Sequence, residues 1–252
     1  MFPLTHVFVA QSLLKSTHHQ VVLGGIFPDL GNIIELNRSI THEMGAGFFG
    51  LCRNKYPQFL DFARAIITHC SYPHGLDYYA DEGFEGQGTG YCFQRGAPFV
   101  DEVIKACALP PQMGLWKAHN FIEMAYEVIS VKHYPFLTEL LHDTLVDDAV
   151  IIECSDLLGK YFNVDTSKIT AVIKDMPSIF CISEVTPENL AKKYALFLKK
   201  RHGISQADPV AIAGIIRQAQ ESVEGEFHGF INSCLANIRV LLGKFDTNQG
   251  GC

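Results

Sequence analysis

Apolar residues recur at intervals of three and four along most of the chain, and this spacing limits its fold more than any other feature. In a helix the spacing places apolar side chains on one face, whereas a half-buried strand would alternate apolar and polar residues. The sequence contains no alternating pattern of any length. We therefore expect an all-α protein, a multi-helix bundle. The predicted helices lie near 4–15, 57–70, 112–131, 133–142, 144–161, 166–177, 187–202 and 208–243.

Three of these helices begin with a capping signal. Thr186 and Asp208 each precede a proline, and Asp165 precedes the apolar-periodic segment that starts at 166. A side-chain oxygen at this position can accept a hydrogen bond from a free backbone N–H, and proline suits the first helical turn. The signals predict helix starts directly after each of these residues.

The 252 residues, 48% of them hydrophobic, are enough for one sizeable buried core. No repeat, low-complexity block or linker marks a boundary between domains. We expect a single all-helical domain over 1–252. Within it we distinguish a metal-site half (1–131), a helical remainder (132–245) and a loose tail (246–252).

The overall charge and the apolar runs exclude several classes of protein. The net charge of -7 argues against bulk electrostatic binding of nucleic acid. No apolar run is long enough to cross a bilayer, and the amino terminus lacks the basic stretch of a signal peptide. The eight cysteines are scattered without a CxxC pair, which suits reduced thiols. We expect a cytoplasmic protein without a transmembrane segment.

The segment WKAHNFIEMAYE carries His119 and Glu123 four residues apart. Residues at this spacing share one face of a helix, so an imidazole and a carboxylate can bind the same metal ion. An ordinary polar pair is the alternative interpretation. It is the commoner one for an isolated HxxxE.

Seven of the eleven histidines precede residue 120, which indicates a site built mainly by the first half of the chain. His6 and His42 each follow a threonine, and His69 lies at the end of a predicted helix. Asp29 follows Pro28 in the apolar stretch VVLGGIFPDL, where we expect the proline to end or kink the segment. A buried carboxylate is costly without a cation, so Asp29 is either a metal ligand or the cap of the next helix.

His74, Asp77 and Asp81 follow closely in HGLDYYADEGF. A helical or turned backbone would place these three side chains on one side. The alternative is that Asp77 and Asp81 are solvated surface acids, which is the commoner fate of carboxylates. We favour Asp77 as a ligand and expect Asp81 to face solvent, and His74 is a further candidate ligand. The glycine-rich stretch EGFEGQGTGYCFQRG lacks the ending of a phosphate-binding P-loop. We interpret it as a flap beside the site, with Arg95 placed to meet an anion.

Imidazole and carboxylate together favour zinc or another first-row divalent ion over calcium or magnesium. The number of candidates exceeds what one tetrahedral ion needs, so we expect two or three ions. The candidate ligands are His6, Asp29, His42, His69, His74, Asp77, His119 and Glu123.

The order of these motifs resembles that of the zinc-dependent phospholipase C and S1/P1 nuclease superfamily. The resemblance covers about the first 130 residues and rests on TH, GxxPD (Gly25 to Asp29), a second TH, a helix-terminal histidine and HNFIE. It implies an all-helical fold with a cluster of three zinc ions. By the same resemblance His6, Asp29, His42, His119 and Glu123 would be ligands, and Asp29 would orient or deprotonate the attacking water.

The resulting hypothesis is a metal-dependent phosphoester hydrolase that activates water at two or three zinc ions. Its substrate would be a small phosphoester, a phospholipid head group or a nucleotide. One alternative is an HD-type metal phosphohydrolase with His142 and Asp143 as the metal-bridging dipeptide. Another is a non-catalytic helical protein in which a metal is only structural.

Overall fold

The computed structural model describes residues 2–31 and 36–247. Within them the protein is all-α, as the apolar spacing predicts, and no strand is present in these two segments. The fourteen helices are α1 (Pro3–Leu14), α2 (His19–Leu30), α3 (Arg38–His42), α4 (Gly45–Lys55), α5 (Leu60–His69), α6 (Tyr91–Gly96), α7 (Val100–Cys107), α8 (Gly114–His133), α9 (Phe136–Val146), α10 (Asp148–Phe162), α11 (Thr166–Ile179), α12 (Pro187–His202), α13 (Pro209–Val223) and α14 (Phe227–Thr247).

The predicted capping residues are confirmed. Thr186 accepts a hydrogen bond from the backbone of Asn189, Asp208 from two backbone amides of α13, and Asp165 from Ser167. The helix predicted over 208–243 is instead two helices, α13 and α14, separated by a 3-10 turn at Glu224–Glu226. α14 extends to Thr247, and the rest of the predicted tail lies outside the described residues.

The expectation that Pro28 ends or kinks its segment is wrong as regards the end, because α2 continues through this proline to Leu30. Pro28 forgoes one backbone hydrogen bond, and its own carbonyl accepts one from the Thr41 hydroxyl. Asp29 therefore lies on the last turn of α2 and does not cap α3. That cap is Asn37, whose side chain accepts from Ser39 N.

Small residues let α2 pack closely between α1 and α5. A Cβ on Gly24 would lie 2.5 Å from the carbonyl oxygen of Phe62 in α5, and a Cβ on Gly25 would lie 3.2 Å from Ala10 Cβ in α1. Both helices carry candidate ligands, His6 on α1 and His69 on α5. The close packing brings these two imidazoles into a stack with ring centroids 3.5 Å apart.

Glu127 on α8 fixes the start of α1. Its buried carboxylate accepts hydrogen bonds from Leu4 N at 3.0 Å, Thr5 N at 2.7 Å and Thr5 Oγ1 at 2.8 Å. The first amides of a helix have no partner within the helix, and a negative charge there is favourable. Phe2, the residue before α1, provides no side-chain cap. Glu127 therefore ties α1, and with it His6, to α8.

Two helices of the second half of the chain pack on α8, whereas α9, α10 and α11 contact α2 and α14 contacts α1. α12 and α13 contact each other and both contact α8. Buried apolar side chains from Leu4 to Leu242 form one continuous cluster. No helix in the described parts of the chain is long and apolar enough to cross a membrane.

We predict that Glu127→Ala destabilises the protein. Three donors lose their acceptor inside the core, so the free energy of unfolding should fall by about 3 kcal/mol or more. Urea denaturation followed by circular dichroism measures the change. Glu139→Ala, at an exposed position on α9, is the matched control and should shift stability by under about 0.5 kcal/mol. Equal stability of the two variants would contradict the role assigned to Glu127.

Candidate metal centre

Five predicted ligands meet at one place in the bundle. Ligand atoms of Asp29, His42, His69 and Asp77 all lie within 4.8 Å of one another. His6 completes the set, because its Nε2 lies 3.2 Å from Asp77 Oδ1. We call these five residues the histidine-rich group. They come from α1, α2, α3, α5 and the turn after α5, so they converge only through helix packing.

Imidazole and carboxylate atoms of this group are spaced like ligands of a shared ion. His42 Nε2 lies 3.4 Å from Asp29 Oδ1 and 3.2 Å from Asp77 Oδ2. His69 Nε2 lies 3.6 Å and 3.5 Å from the same two oxygens. With zinc–ligand bonds of about 2.0–2.2 Å, two ligands of a tetrahedral ion are roughly 3.3 Å apart. The geometry therefore fits a small divalent cation.

Hydrogen bonds at Nδ1, the ring nitrogen that faces away from the carboxylates, orient two of these imidazoles. His69 Nδ1 lies 2.6 Å from Gly25 O, and His42 Nδ1 lies 3.0 Å from Arg38 O. A carbonyl oxygen can only accept, so each Nδ1 donates and each Nε2 turns toward the carboxylates. These two buried Nε2 atoms approach the carboxylates without hydrogen-bond geometry. Metal-binding histidines characteristically donate their other N–H in this way.

The charges of the group compensate one another. Burial acts to raise the pKa of Asp29, but the neighbouring imidazoles of His69 and His42 hold it well below the usual range. The pKa of Asp77 is also well below its usual range despite burial, and the same two imidazoles contribute to the lowering. Burial acts to lower the pKa of His69, but the two carboxylates raise it to about 9. Burial and the charge on His69 lower the pKa of His6 to about 4. A bound cation would take over the compensation that the His69 proton provides.

A second cluster lies beside the first. Asp81, His119 and Glu123 offer ligand atoms that are also within 4.8 Å of one another, and we call them the carboxylate-rich group. Asp81 Oδ1 and His119 Nδ1 are buried without a hydrogen-bond partner. Burial, together with the charges of Glu123 and Asp77, raises the pKa of Asp81 well above its usual range. Two unpaired buried atoms and an excess of carboxylates fit a bound cation here as well.

A side chain already bridges part of this second group. Asn120 Nδ2 lies 3.0 Å from His119 Nε2 and 2.9 Å from Glu123 Oε2, the two atoms that an i, i+4 pair could offer to one ion. The hydroxyl of Tyr194 on α12 donates to Asn120 Oδ1 at 3.1 Å. An ion that used both atoms would displace this amide. The histidine-rich group also offers four mutually close ligands against three here, so it should bind a divalent ion more tightly.

Arg38 joins the two groups. Its Nη2 donates to Asp77 Oδ2 at 3.1 Å and to Asp81 Oδ2 at 3.0 Å. Asp77 belongs to the histidine-rich group and Asp81 to the carboxylate-rich group. Because both carboxylates bond the same nitrogen atom, the two groups adjoin. Together they could hold metal ions in one continuous site.

His74 and Asp81 do not lie where the sequence led us to expect them. The structure brings His74 to neither group: its exposed ring stacks on Tyr78 with centroids 3.6 Å apart. The expectation that Asp81 faces solvent is wrong, because its side chain is only 11% exposed and pairs with Arg38. A π-helical turn at Tyr78–Glu82 carries Asp81 toward α8, and the spacing of four from Asp77 was the available signal.

Two further sequence candidates lie elsewhere. Arg95 Nε donates to Glu226 Oε2 at 2.8 Å, so this guanidinium is committed to a carboxylate on the 3-10 turn before α14. His142 and Asp143 are both exposed, and no potential three-ligand group in the described residues includes them. The dipeptide therefore lacks the neighbours that an HD-type site would require.

The chain matches no protein-family model, and no curated protein or solved structure is significantly similar to it. Its likeness to the phospholipase C and S1/P1 nuclease superfamily therefore rests on the sequence motifs alone. The structure shows that the described residues are all-helical, and that histidines and aspartates lie together where they could bind a metal ion.

We predict that protein stripped with chelator and titrated with zinc binds about two ions per chain in two steps of different affinity. His69→Ala should remove the tighter step and His119→Ala the weaker one. Zinc content by mass spectrometry, alongside calorimetry, measures both. His74→Ala is the matched control, since this exposed histidine lies in neither group, and it should bind zinc like the wild type. Loss of zinc in that control alone would contradict the assignment.

Proposed function

We propose that the protein is a metal-dependent phosphoester hydrolase with a dinuclear centre, and that zinc is the ion it uses. The observation that carries the proposal is the adjacency of the two ligand groups through Arg38. Two metal ions held side by side can stabilise both the attacking and the leaving oxygen in phosphoryl transfer. The mixture of imidazole and carboxylate ligands supports zinc or a similar first-row ion.

When bound, the ions would polarise the phosphoryl group and make a water acidic enough to lose a proton near neutral pH. The residues of the chain supply the positioning. Asp29 is the most open member of the histidine-rich group, with 25% of its side chain exposed. Its low pKa makes it a weak proton acceptor, so we assign it the orientation of the attacking water by hydrogen bonding.

Small phosphoesters, phospholipid head groups and nucleotides are the proposed substrates. Such molecules can present a phosphate to a site whose histidines are almost fully buried. The net charge of -7 would repel an anion at long range, but bound divalent ions would reverse the potential locally.

The strongest competing proposal is a metal centre that only stabilises the fold. The burial of His6, His42 and His69 favours it, because structural metal sites are closed to solvent. The partial exposure of Asp29 favours a catalytic centre, because a reacting molecule needs an open position. Activity measurements separate the two.

We expect zinc-loaded protein to hydrolyse p-nitrophenyl phosphate or bis(p-nitrophenyl) phosphate, and chelator to abolish the reaction. Asp29→Asn should lower kcat by about 100-fold, because the attacking water loses the carboxylate that orients it. The weaker zinc site should still fill in this variant, since Asp29 belongs to the histidine-rich group. Asp143→Asn is the control, because this exposed carboxylate belongs to the competing HD-type interpretation. It should leave kcat unchanged.

Two results would overturn the proposal. Loss of activity in Asp143→Asn with full activity in Asp29→Asn would favour the HD-type hydrolase. Zinc-loaded protein that hydrolyses neither ester, and whose melting temperature falls sharply when zinc is removed, would indicate a structural metal.

A further inference from the structure

Arg38 uses only part of its hydrogen-bonding capacity. Its Nη2 bonds Asp77 and Asp81, whereas within the described residues no acceptor is bonded to its Nη1 or Nε. The side chain is 44% exposed, although both carboxylates that hold it are largely buried. The guanidinium is thus anchored at Nη2, which has two N–H groups for the two carboxylates, and its three other N–H groups remain for further acceptors.

The charge balance of the site makes the unused N–H groups of Arg38 important. The two groups contain four carboxylates, Asp29, Asp77, Asp81 and Glu123. Two divalent ions would balance these four negative charges, and Arg38 would then remain as an additional positive charge between the groups. An anion approaching the loaded site would therefore be attracted to the guanidinium.

The remaining donors and the permanent charge of the side chain suit a phosphate. Each unused N–H group lies in the plane of a charged guanidinium and can donate a charge-assisted hydrogen bond to a phosphate oxygen. The anchoring bonds to Asp77 and Asp81 limit the freedom of the side chain before any ligand arrives. Less conformational entropy is then lost on binding.

Arg95 provides a natural comparison. It is 49% exposed, similar to Arg38, and the sequence made it the candidate for anion binding. Its Nε, however, is bonded to Glu226, and its guanidinium lies over the ring of Tyr91. Arg95 belongs to neither ligand group.

We propose that Arg38 binds the phosphoryl group of the substrate through the unused N–H groups of Nη1 or Nε, and so fixes this group between the two metal sites. The inference rests on the proposed function for the identity of the substrate, but phosphate binding itself can be measured without turnover. Arg38 would then be a specificity-determining residue for phosphate.

The first test measures binding of inorganic phosphate to zinc-loaded protein by calorimetry. Arg38→Met should weaken binding by about tenfold or more, because charge-assisted hydrogen bonds are lost. Arg38→Lys should give an intermediate affinity, since an ammonium keeps the charge but has fewer N–H donors, and these are not held in a plane. Arg95→Met is the matched control and should bind phosphate like the wild type.

The zinc content of each variant is measured in parallel. Removal of a cation from among carboxylates should not weaken zinc binding, so Arg38→Met should keep its zinc. If it loses zinc, Arg38 supports the metal site and the inference is overturned. With zinc retained, unchanged phosphate affinity in Arg38→Met overturns it as well.

Turnover separates the two proposals. If the wild type hydrolyses p-nitrophenyl phosphate and Arg38→Met has unchanged KM and phosphate affinity, the inference fails and the hydrolase proposal stands. If the wild type hydrolyses no ester but binds phosphate in an Arg38-dependent manner, the hydrolase proposal fails and the anion site stands. A higher KM together with weaker phosphate binding in Arg38→Met supports both.

Discussion

The burial of Asp77, and of most of Asp29, among apolar helices is the constraint on which the site depends. Asp29 and Asp77 would be neutral in such surroundings if nothing compensated their charge. Imidazoles and one guanidinium surround them instead, and the pKa values of both carboxylates are low. The cationic neighbours therefore outweigh desolvation. A divalent ion carries more positive charge in less volume than a protonated imidazole, so it can perform the same compensation at closer range.

The helical framework holds this cluster by bonds that lie outside it. Glu127 joins α8 to the start of α1, and the next residue of α1 is His6. Gly25 allows α1 to approach α2, and its carbonyl orients His69. The second half of the chain adds α12, whose Tyr194 reaches the site through Asn120. A site whose ligands come from the first half of the chain thus depends on the second half for the position of α8.

The sequence predicts the secondary structure better than it predicts the site. Helical periodicity and caps are local properties, so Thr186, Asp165 and Asp208 could be recognised directly. Whether ligands lie close together depends on tertiary packing, and the residue types alone only identify possible ligands. His74 and Asp81 show the difference. Both lie near Asp77, but the π-helical turn after Asp77 directs only Asp81 inward, and no periodicity foretells such a turn. The single domain over 1–252 stays a prediction.

The exposure of the site sets the direction from which a ligand can enter. His6, His42 and His69 are buried, whereas the side chains of Asp29 and Arg38 are partly exposed to solvent. Asp29 lies on the last turn of α2 and Arg38 begins α3, so the exposed side of the site includes these two helix ends. If the centre is catalytic, a substrate would reach it from this side. Its phosphate would then approach a guanidinium of opposite charge, which would offset the repulsion expected from the net charge of -7.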